Sequence, residues 1–369
     1  MPQKPEPPIT SIPHLGHVSF FIYEMYNSLA LVYREKVYDF PFVRMINVMA
    51  HLLEVRGLTV ELPTAAGWVR PVNEVSLRIG AGESLGLVGE SGSGKTMLSL
   101  ALMGLLPPGA RVSGEASLAT EASTKKLTAL SEREWRDVRG GEIAMVFQEP
   151  MTSLNPVMRI GAQIEETIRA HQPKLSAKEV KRKAVDSLRR AAVPEPEARA
   201  EQFPHQLSGG LRQRAMIAMA LAAGPRLLIA DEPTTALDVT VQKQILDLLD
   251  RLRRELQLGL LFITHDLGVV AQVAERVAVM YAGRIIEEGP AQNVLAKPLH
   301  PYTQGLLRAS PTLKRGALAP IPGAVPQLTA LPPGCAFEPR CELRRDECAL
   351  AVPAFRIIGS DHAARCILV

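Results

Sequence analysis

"GESGSGKT", residues 89–96, decides how the rest of this 369-residue chain reads. It follows the apolar "SLGLV" (84–88) and precedes the helical "MLSLALMGLL" (97–106). The spacing is G-x-x-x-x-G-K-[ST] at a strand-to-helix junction. Glycines let the backbone turn tightly, so successive N–H groups and the N-terminus of the next helix point at phosphate oxygens. On this reading Gly89, Glu90, Ser91, Gly92, Ser93 and Gly94 form a nucleotide-binding loop. Lys95 then reaches the β- and γ-phosphates, and the Thr96 hydroxyl ligates Mg²⁺. A fortuitous Gly-rich turn would not need a strand before it and a helix after it.

A triphosphate site needs a partner for the metal, and "LLIADEP" (227–233) supplies one. A buried strand ends in Asp231, placed to hold the Mg²⁺ shell, and Glu232 follows, placed to polarise a water for in-line attack on the γ-phosphate. The alternative is two solvated acids capping the next helix. "LSGG" (Leu207, Ser208, Gly209, Gly210) is a second phosphate-binding pattern at the start of the helix "LRQRAMIAMALAA". Alone it is an ordinary N-cap. Since one loop already serves one nucleotide, it makes sense as a group acting on a nucleotide held by another subunit.

Around these motifs, strand and helix patterns alternate. "HLLEVRGLTVEL" (51–62) reads as a strand, and "VNEVSLRIGAGESLGLVGE" (72–90) as two strands joined at a Gly-rich turn. A helix-rich stretch follows from about 158 to 203. "RLLIADEP" and "LGLLFITHD" are short apolar runs of the kind buried on both faces, separated by the helix "VTVQKQILDLLDRLRREL". The fold class is therefore α/β with a parallel sheet. After about residue 290 the chain turns Pro-rich and reads as a linker or extended arm. A net charge of +4 is weak evidence for a nucleic-acid partner, and "KEVKRKAVDSLRR" (178–190) reads as the wet face of a helix. No apolar run approaches the roughly 18–20 residues of a membrane span. The first 48 residues differ: eight of the 17 aromatics lie between Phe20 and Phe42, and Phe21, Met25, Leu29 and Val32 share one helical face. This leader is either an amphipathic helix or a mis-assigned start, with Met49 opening the first strand.

The order GESGSGKT, VFQEP, LSGG, LLIADEP, TALD, THD resembles that of ATP-binding-cassette (ABC) ATPases over about residues 50–290. The resemblance implies a P-loop NTPase cassette (49–290) with a RecA-like parallel core, an antiparallel β subdomain and an α-helical subdomain at about 149–205. It implies further roles residue by residue. Gln148 is the glutamine that touches the Mg²⁺ and senses the permease, Asp238 crosses the dimer interface, and His265 hydrogen-bonds the γ-phosphate beside the catalytic Glu232. "FQEPMTSLNPVMRIGAQI", "FPHQLSGGLRQRAMIAMAL" and "HPYTQGLL" narrow the resemblance to the first ATPase subunit of dipeptide and oligopeptide importers and their nickel-importing relatives.

That resemblance implies an ATP-hydrolysing subunit, peripheral on the cytoplasmic face of the inner membrane. Its partners would be two polytopic permeases, a second identical or homologous ATPase and, indirectly, a solute-binding protein. An importer for nickel or another small solute is the nearer alternative; a soluble ABC ATPase acting on nucleic acid or ribosomes is the remoter one, lacking its usual second cassette or insertions. Three features depart from the family pattern. Leu211 stands after LSGG where many cassettes have Gln, though an apolar residue there suits the peptide-importer subfamily. Trp68 is a candidate for stacking on adenine, with packing the equal alternative, and the leader has no counterpart.

The C-terminal segment 291–369 holds all four cysteines, Cys335, Cys341, Cys348 and Cys366, spaced C-x5-C-x6-C-x17-C. A tail with too little apolar sequence for its own core needs a staple, and four thiolates around one metal provide one. The spacing matches neither the tight pairs of structural zinc nor the compact ferredoxin run, so it leaves the metal open. Resemblance to peptide-importer ATPases, which end in a similar "GCxFxPRC" segment, implies a [4Fe–4S] cluster, with zinc as the alternative. Reduced cytosolic thiols argue against disulfides. Distance in sequence from the nucleotide motifs suggests a purely structural centre.

Overall fold

The computed structural model describes residues 51–121, 123–149, 153–235, 237–310 and 320–369; the leader expected to carry an amphipathic helix lies outside them. In chain order the elements are β1 (Leu53–Thr64), β2 (Gly67–Ile79), β3 (Ser84–Val88), α1 (Lys95–Leu102), β4 (Arg111–Ala119), β5 (Thr124–Lys126), α2 (Glu132–Val138) and β6 (Ile143–Val146). Then come α3 (Ile160–His171), α4 (Ala177–Arg190), α5 (Pro196–Ala200), α6 (Gly209–Leu221), β7 (Leu227–Asp231), α7 (Val239–Leu256), β8 (Gly259–Thr264) and α8 (Leu267–Val273). The chain closes with β9 (Arg276–Tyr281), β10 (Arg284–Pro290), α9 (Ala291–Ala296), α10 (Pro301–Ala309), β11 (Arg356–Ile358) and β12 (His362–Ala364).

Two kinds of apolar pattern build two sheets. In β1 the inward residues Leu53 and Val55 alternate with polar neighbours, and the register slips before Leu58, beside Gly57 at a φ of 56°. Half-buried antiparallel strands read this way, and β2-β1-β4-β5 form such a sheet. By contrast β3, β7 and β8 are buried at every position. They lie in the second sheet, ordered β11-β12-β10-β9-β3-β8-β7-β6, whose members from β9 to β6 run parallel. The Gly-rich turn between β2 and β3 therefore carries the chain from one sheet into the other.

One core cluster fills the side of the main sheet that faces the antiparallel strands and α1, with Leu85, Leu87, Leu98 and Ile263 among its members. Another fills the opposite side against α7 and α8, around Phe262, Ile245 and Leu249. The α3–α6 stretch has a core of its own, with Ile160, Ile164 and Ile168 of α3 against Val180, Ala184 and Leu188 of α4. The basic run 178–190 is accordingly the solvated side of α4. No helix among the described residues is long and apolar enough to cross a membrane.

Parallel strands end together, which is what assembles a site. Val88 of β3 is level with Thr264 of β8, Ile263 with Asp231 of β7, and Ala230 with Val146 of β6. All four carboxyl ends lie along one edge, where ligands of open α/β sheets bind.

The segment after Pro290 does not form the loose tail that its proline content predicts. It begins with two helices, α10 opening on Pro301 with the His300 ring accepting from the Tyr302 N–H at 3.0 Å. Residues 362–364 then pair antiparallel with β10, Glu287 opposite Ala364, and Phe337 joins Tyr281 and Tyr302 in the main core. Apolar burial thus comes from sharing the cassette's core. Glu287, fully buried, fastens this segment: its carboxylate accepts from the Leu299 N–H, the His300 N–H and His362 Nε2, each at 2.8 Å. Glu287→Ala should lower unfolding stability by roughly 2–4 kcal/mol in urea titrations, because it strands several buried donors at once.

Candidate active site

The loop 89–94 is shaped by lack of space. A Cβ on Gly89 would lie 2.2 Å from the Met280 carbonyl oxygen, and one on Gly94, whose φ is 108°, would lie 2.0 Å from that of Pro71. Gly92, at a φ of 80°, has nothing within 4 Å of its Cβ position and faces open space. Ser93 is buried while Ser91 and Thr96 are exposed. Lys95, only 5% exposed, donates back to the carbonyls of Gly89 (2.7 Å) and Glu90 (3.0 Å). Burial lowers its pKa, and the charges of Glu232, Asp231 and Glu90 oppose that shift.

Asp231 is 3% exposed and its Oδ1 has no hydrogen-bond partner. Burial raises its pKa, against hydrogen bonds from Thr96 and Ser99. A buried carboxylate with one oxygen unsatisfied beside a threonine hydroxyl is a donor set that fits a hard divalent cation such as Mg²⁺.

Next in the chain, Glu232 stands in left-handed backbone at a φ of 46°, its N–H donating to the Ile263 carbonyl at 2.9 Å. That turn throws its side chain along the strand ends. There Glu232 Oε2 receives Gln148 Nε2 (3.2 Å), Thr235 Oγ1 (3.0 Å) and His265 Nδ1 (3.3 Å). Its pKa is lowered first by the His265 hydrogen bond, and that of His265 is raised first by the same contact. Gln148, Glu232 and His265, dispersed over 118 positions of sequence, thus meet at one oxygen. Thr235, three residues past Glu232, was not anticipated from sequence.

Other expected residues lie apart from this cluster. Ser208 caps α6, accepting from the Leu211 N–H at 3.4 Å, and Asp238 caps α7, accepting from Val241 at 2.9 Å. Ser208, Gly209 and Asp238 face solvent, Leu207 is buried, and a Cβ on Gly210 would press on Val241 at 2.7 Å. Trp68 is 46% exposed with the Arg111 guanidinium 4.0 Å over its ring.

Two further neighbours of the phosphate loop come from the C-terminal segment, and sequence offered no signal for them. Tyr302 Oη accepts from the Glu90 N–H at 2.8 Å, and Arg340 contacts the Glu90 carboxylate at 2.7 and 3.0 Å. Arg340 precedes Cys341 directly. The expectation that the cysteine segment stands away from the nucleotide motifs is therefore corrected: distance in sequence does not survive folding. The cysteines are free thiols. Cys335 N–H donates to the Cys348 carbonyl at 2.7 Å, and burial pushes the Cys335 thiol up to about 11, with smaller effects from Cys348, Cys366 and Cys341. They share one neighbourhood, but no three His, Cys, Asp or Glu among the described residues are grouped to hold a metal ion, so as placed here they do not form a ligand set.

Comparison with known proteins identifies the family. Residues 72–235 match the "ABC transporter" family, and 286–348 match "Oligopeptide/dipeptide transporter, C-terminal region". A Brucella melitensis biotype 1 protein named for peptide import and ATP binding is 50% identical over 327 residues, 86% of this chain and 96% of that protein. The oligopeptide transport ATP-binding protein OppD of Bacillus subtilis is 51% identical over 298 residues, 79% of this chain and 82% of that one. Among solved structures, a dimeric post-hydrolysis state of the ATP-binding cassette MJ0796 bound to ADP and Pi superposes with a TM-score of 0.58 at 28% identity. That match covers 65% of this chain and 98% of the other.

The pair of His265 and Glu232 sets a pH dependence. A raised histidine pKa contributes stability that is present below its ordinary 6.5 and lost as pH climbs through the raised value. The lowered Glu232 contributes above its ordinary 4.5 and loses this as pH falls through the lowered value. The contact is thus strongest between about 4.5 and 6.5, and with His265 58% exposed it is worth less than about 1 kcal/mol. In nucleotide-free protein, NMR titration of His265 should give a midpoint above 6.5 that drops in Glu232→Gln.

Proposed function

The chain belongs to the ATP-binding subunits of ABC peptide importers, and from that membership we propose which of its residues perform the work. It hydrolyses ATP to drive peptide import through membrane permeases. The observation that carries the residue-level reading is the gathering of Lys95, Asp231, Gln148, Glu232 and His265 on one sheet edge.

In this reading the amides of Gly89–Gly94 and the N-terminus of α1 cradle the triphosphate. Lys95 exchanges the carbonyls of Gly89 and Glu90 for the β- and γ-phosphates, a swap favoured because both leave a buried ammonium partnered. Glu232 takes the proton of the attacking water as oxygen bonds to the γ-phosphorus and the bridge to the β-phosphate breaks, giving ADP and phosphate. His265 turns from Glu232 to the γ-phosphate. Mg²⁺, held by Thr96, Asp231 and Gln148, would neutralise charge on the phosphate oxygens.

Ser208, Gly209 and Asp238, which face solvent, and the neighbouring Gly210 act across a head-to-tail dimer on the nucleotide of a second ATPase, identical or homologous. One of the two permeases docks beside Gln148, at an open groove of about 540 Å³ lined by Met103, Leu105, Phe147, Met158, Met216 and Met219. Phe147 is 39% exposed there and nearby Val157 78%, apolar surface that a partner would cover. The subunit is peripheral on the cytoplasmic face of the membrane, and the solute is delivered by a solute-binding protein. At the C-terminus the shared neighbourhood of Cys335, Cys341, Cys348 and Cys366 supports a [4Fe–4S] cluster, with zinc the alternative, provided the thiols draw closer and ionise.

Glu232→Gln should cut ATP turnover by about 10²- to 10⁴-fold while ATP still binds. Lys95→Ala should instead weaken ATP binding itself, measured by equilibrium fluorescence with a nucleotide analogue. Near-normal turnover in the first variant would remove Glu232 from its role. Protein purified anaerobically should be brown and carry about four irons per chain. Colourless protein with one zinc, or with four titratable thiols and no metal, would overturn the cluster.

A further inference from the structure

Glu90 is committed three ways. Its N–H donates to Tyr302 Oη (2.8 Å), its carbonyl accepts from Lys95 (3.0 Å), and its carboxylate receives both terminal nitrogens of Arg340 (2.7 and 3.0 Å). Two of the three partners come from the C-terminal segment, 212 and 250 positions away. We infer that Arg340 is a positioning residue for nucleotide binding: it neutralises and orients Glu90, so that the C-terminal segment completes the phosphate loop of its own chain.

Chemistry gives the reason. A carboxylate inside a loop built for a triphosphate repels the ligand and competes with it for Lys95, whose pKa already registers the Glu90 charge. A bidentate guanidinium on the far side cancels that charge and fixes its direction. The Arg340 side chain is 4% exposed and Glu90 29%, so solvent does little of this screening. Arg340 is itself aimed by its surroundings. Its Nε donates to the Pro322 carbonyl at 2.8 Å, one terminal nitrogen reaches Tyr281 Oη at 3.3 Å, and the guanidinium carbon lies 5.9 Å from the rings of Tyr281 and Phe337. Phe337 in turn is wedged edge-on against Tyr281 and Tyr302, at 5.4 and 5.3 Å between ring centres. The arrangement rests on residues 89–96 being the nucleotide loop.

The test measures ATP affinity in full-length protein. Arg340→Met should weaken binding about tenfold, some 1.4 kcal/mol, more at low salt than at high. Arg340→Lys, which keeps the charge but not the fork, should lose less. The deciding variant is Arg340→Met with Glu90→Gln. Removing the stranded carboxylate should restore affinity to within a few-fold of the parent, a recovery that a merely structural arginine would not allow. Unchanged affinity in Arg340→Met, or a double variant no better than the single one, overturns the inference. If Arg340→Met does not fold, Arg340→Gln with and without Glu90→Gln yields the same two outcomes. Lys95→Ala separates the premises: if it leaves ATP affinity intact the loop assignment fails, whereas if it abolishes binding and the Arg340 series is inert only the role of Arg340 fails.

Discussion

The structure depends on a stretch of backbone that has no room for side chains. Gly89 and Gly94 are pressed by the carbonyl oxygens of Met280 and Pro71, one from β9 and one from β2. Gly283 adds its N–H to the Ser93 carbonyl at 2.9 Å, and Asn73 N–H reaches Gly283 at 2.8 Å. The loop is thus a bent backbone bedded between two sheets, and it keeps its shape only because both sheets are in place. The antiparallel sheet, through Pro71 of β2, forms one wall of that mould.

The same economy holds at the other end of the strands. One carboxylate oxygen of Glu232 takes donors from just past β6, from the turn after β7 and from just past β8. Those donors hold its pKa down, and a carboxylate held down is a reluctant base. If Glu232 is the base, as proposed, the contacts that hold it are also the ones it must relinquish to accept a proton. In the proposed reading His265 and Gln148 are suited to that exchange, His265 turning to the γ-phosphate and Gln148 to the Mg²⁺.

Local pattern made much of this legible. The loop 89–96, the buried runs 227–231 and 259–264 and the helix 239–256 declare themselves because their physics is short-range: turns, alternation and burial. What escaped is long-range. Arg340 and Tyr302 carry no motif that points to Glu90, since a salt bridge across 250 positions leaves no periodicity. Residues 356–358 and 362–364 are three-residue strands, too short for alternation to register, so the Pro-rich segment looked like an arm. Judging that segment by its own apolar content missed that Phe337 is buried in a core made by others. Thr235 escaped for a different reason: a hydroxyl beside a carboxylate looks like any turn residue until Glu232 is seen in left-handed backbone.

The pairing of β12 with β10 has a consequence for how the chain is made. A protein emerges N-terminus first, so residues 362–364 appear well after the β10 strand they pair with. Until they do, β10 presents an open edge, the Glu287 carboxylate lacks His362, and the sheet that beds the nucleotide loop is unfinished. A chain that stops before residue 362 therefore leaves the β10 edge unpaired. The order of synthesis thus ties closure of the β10 edge to the arrival of residues 362–364.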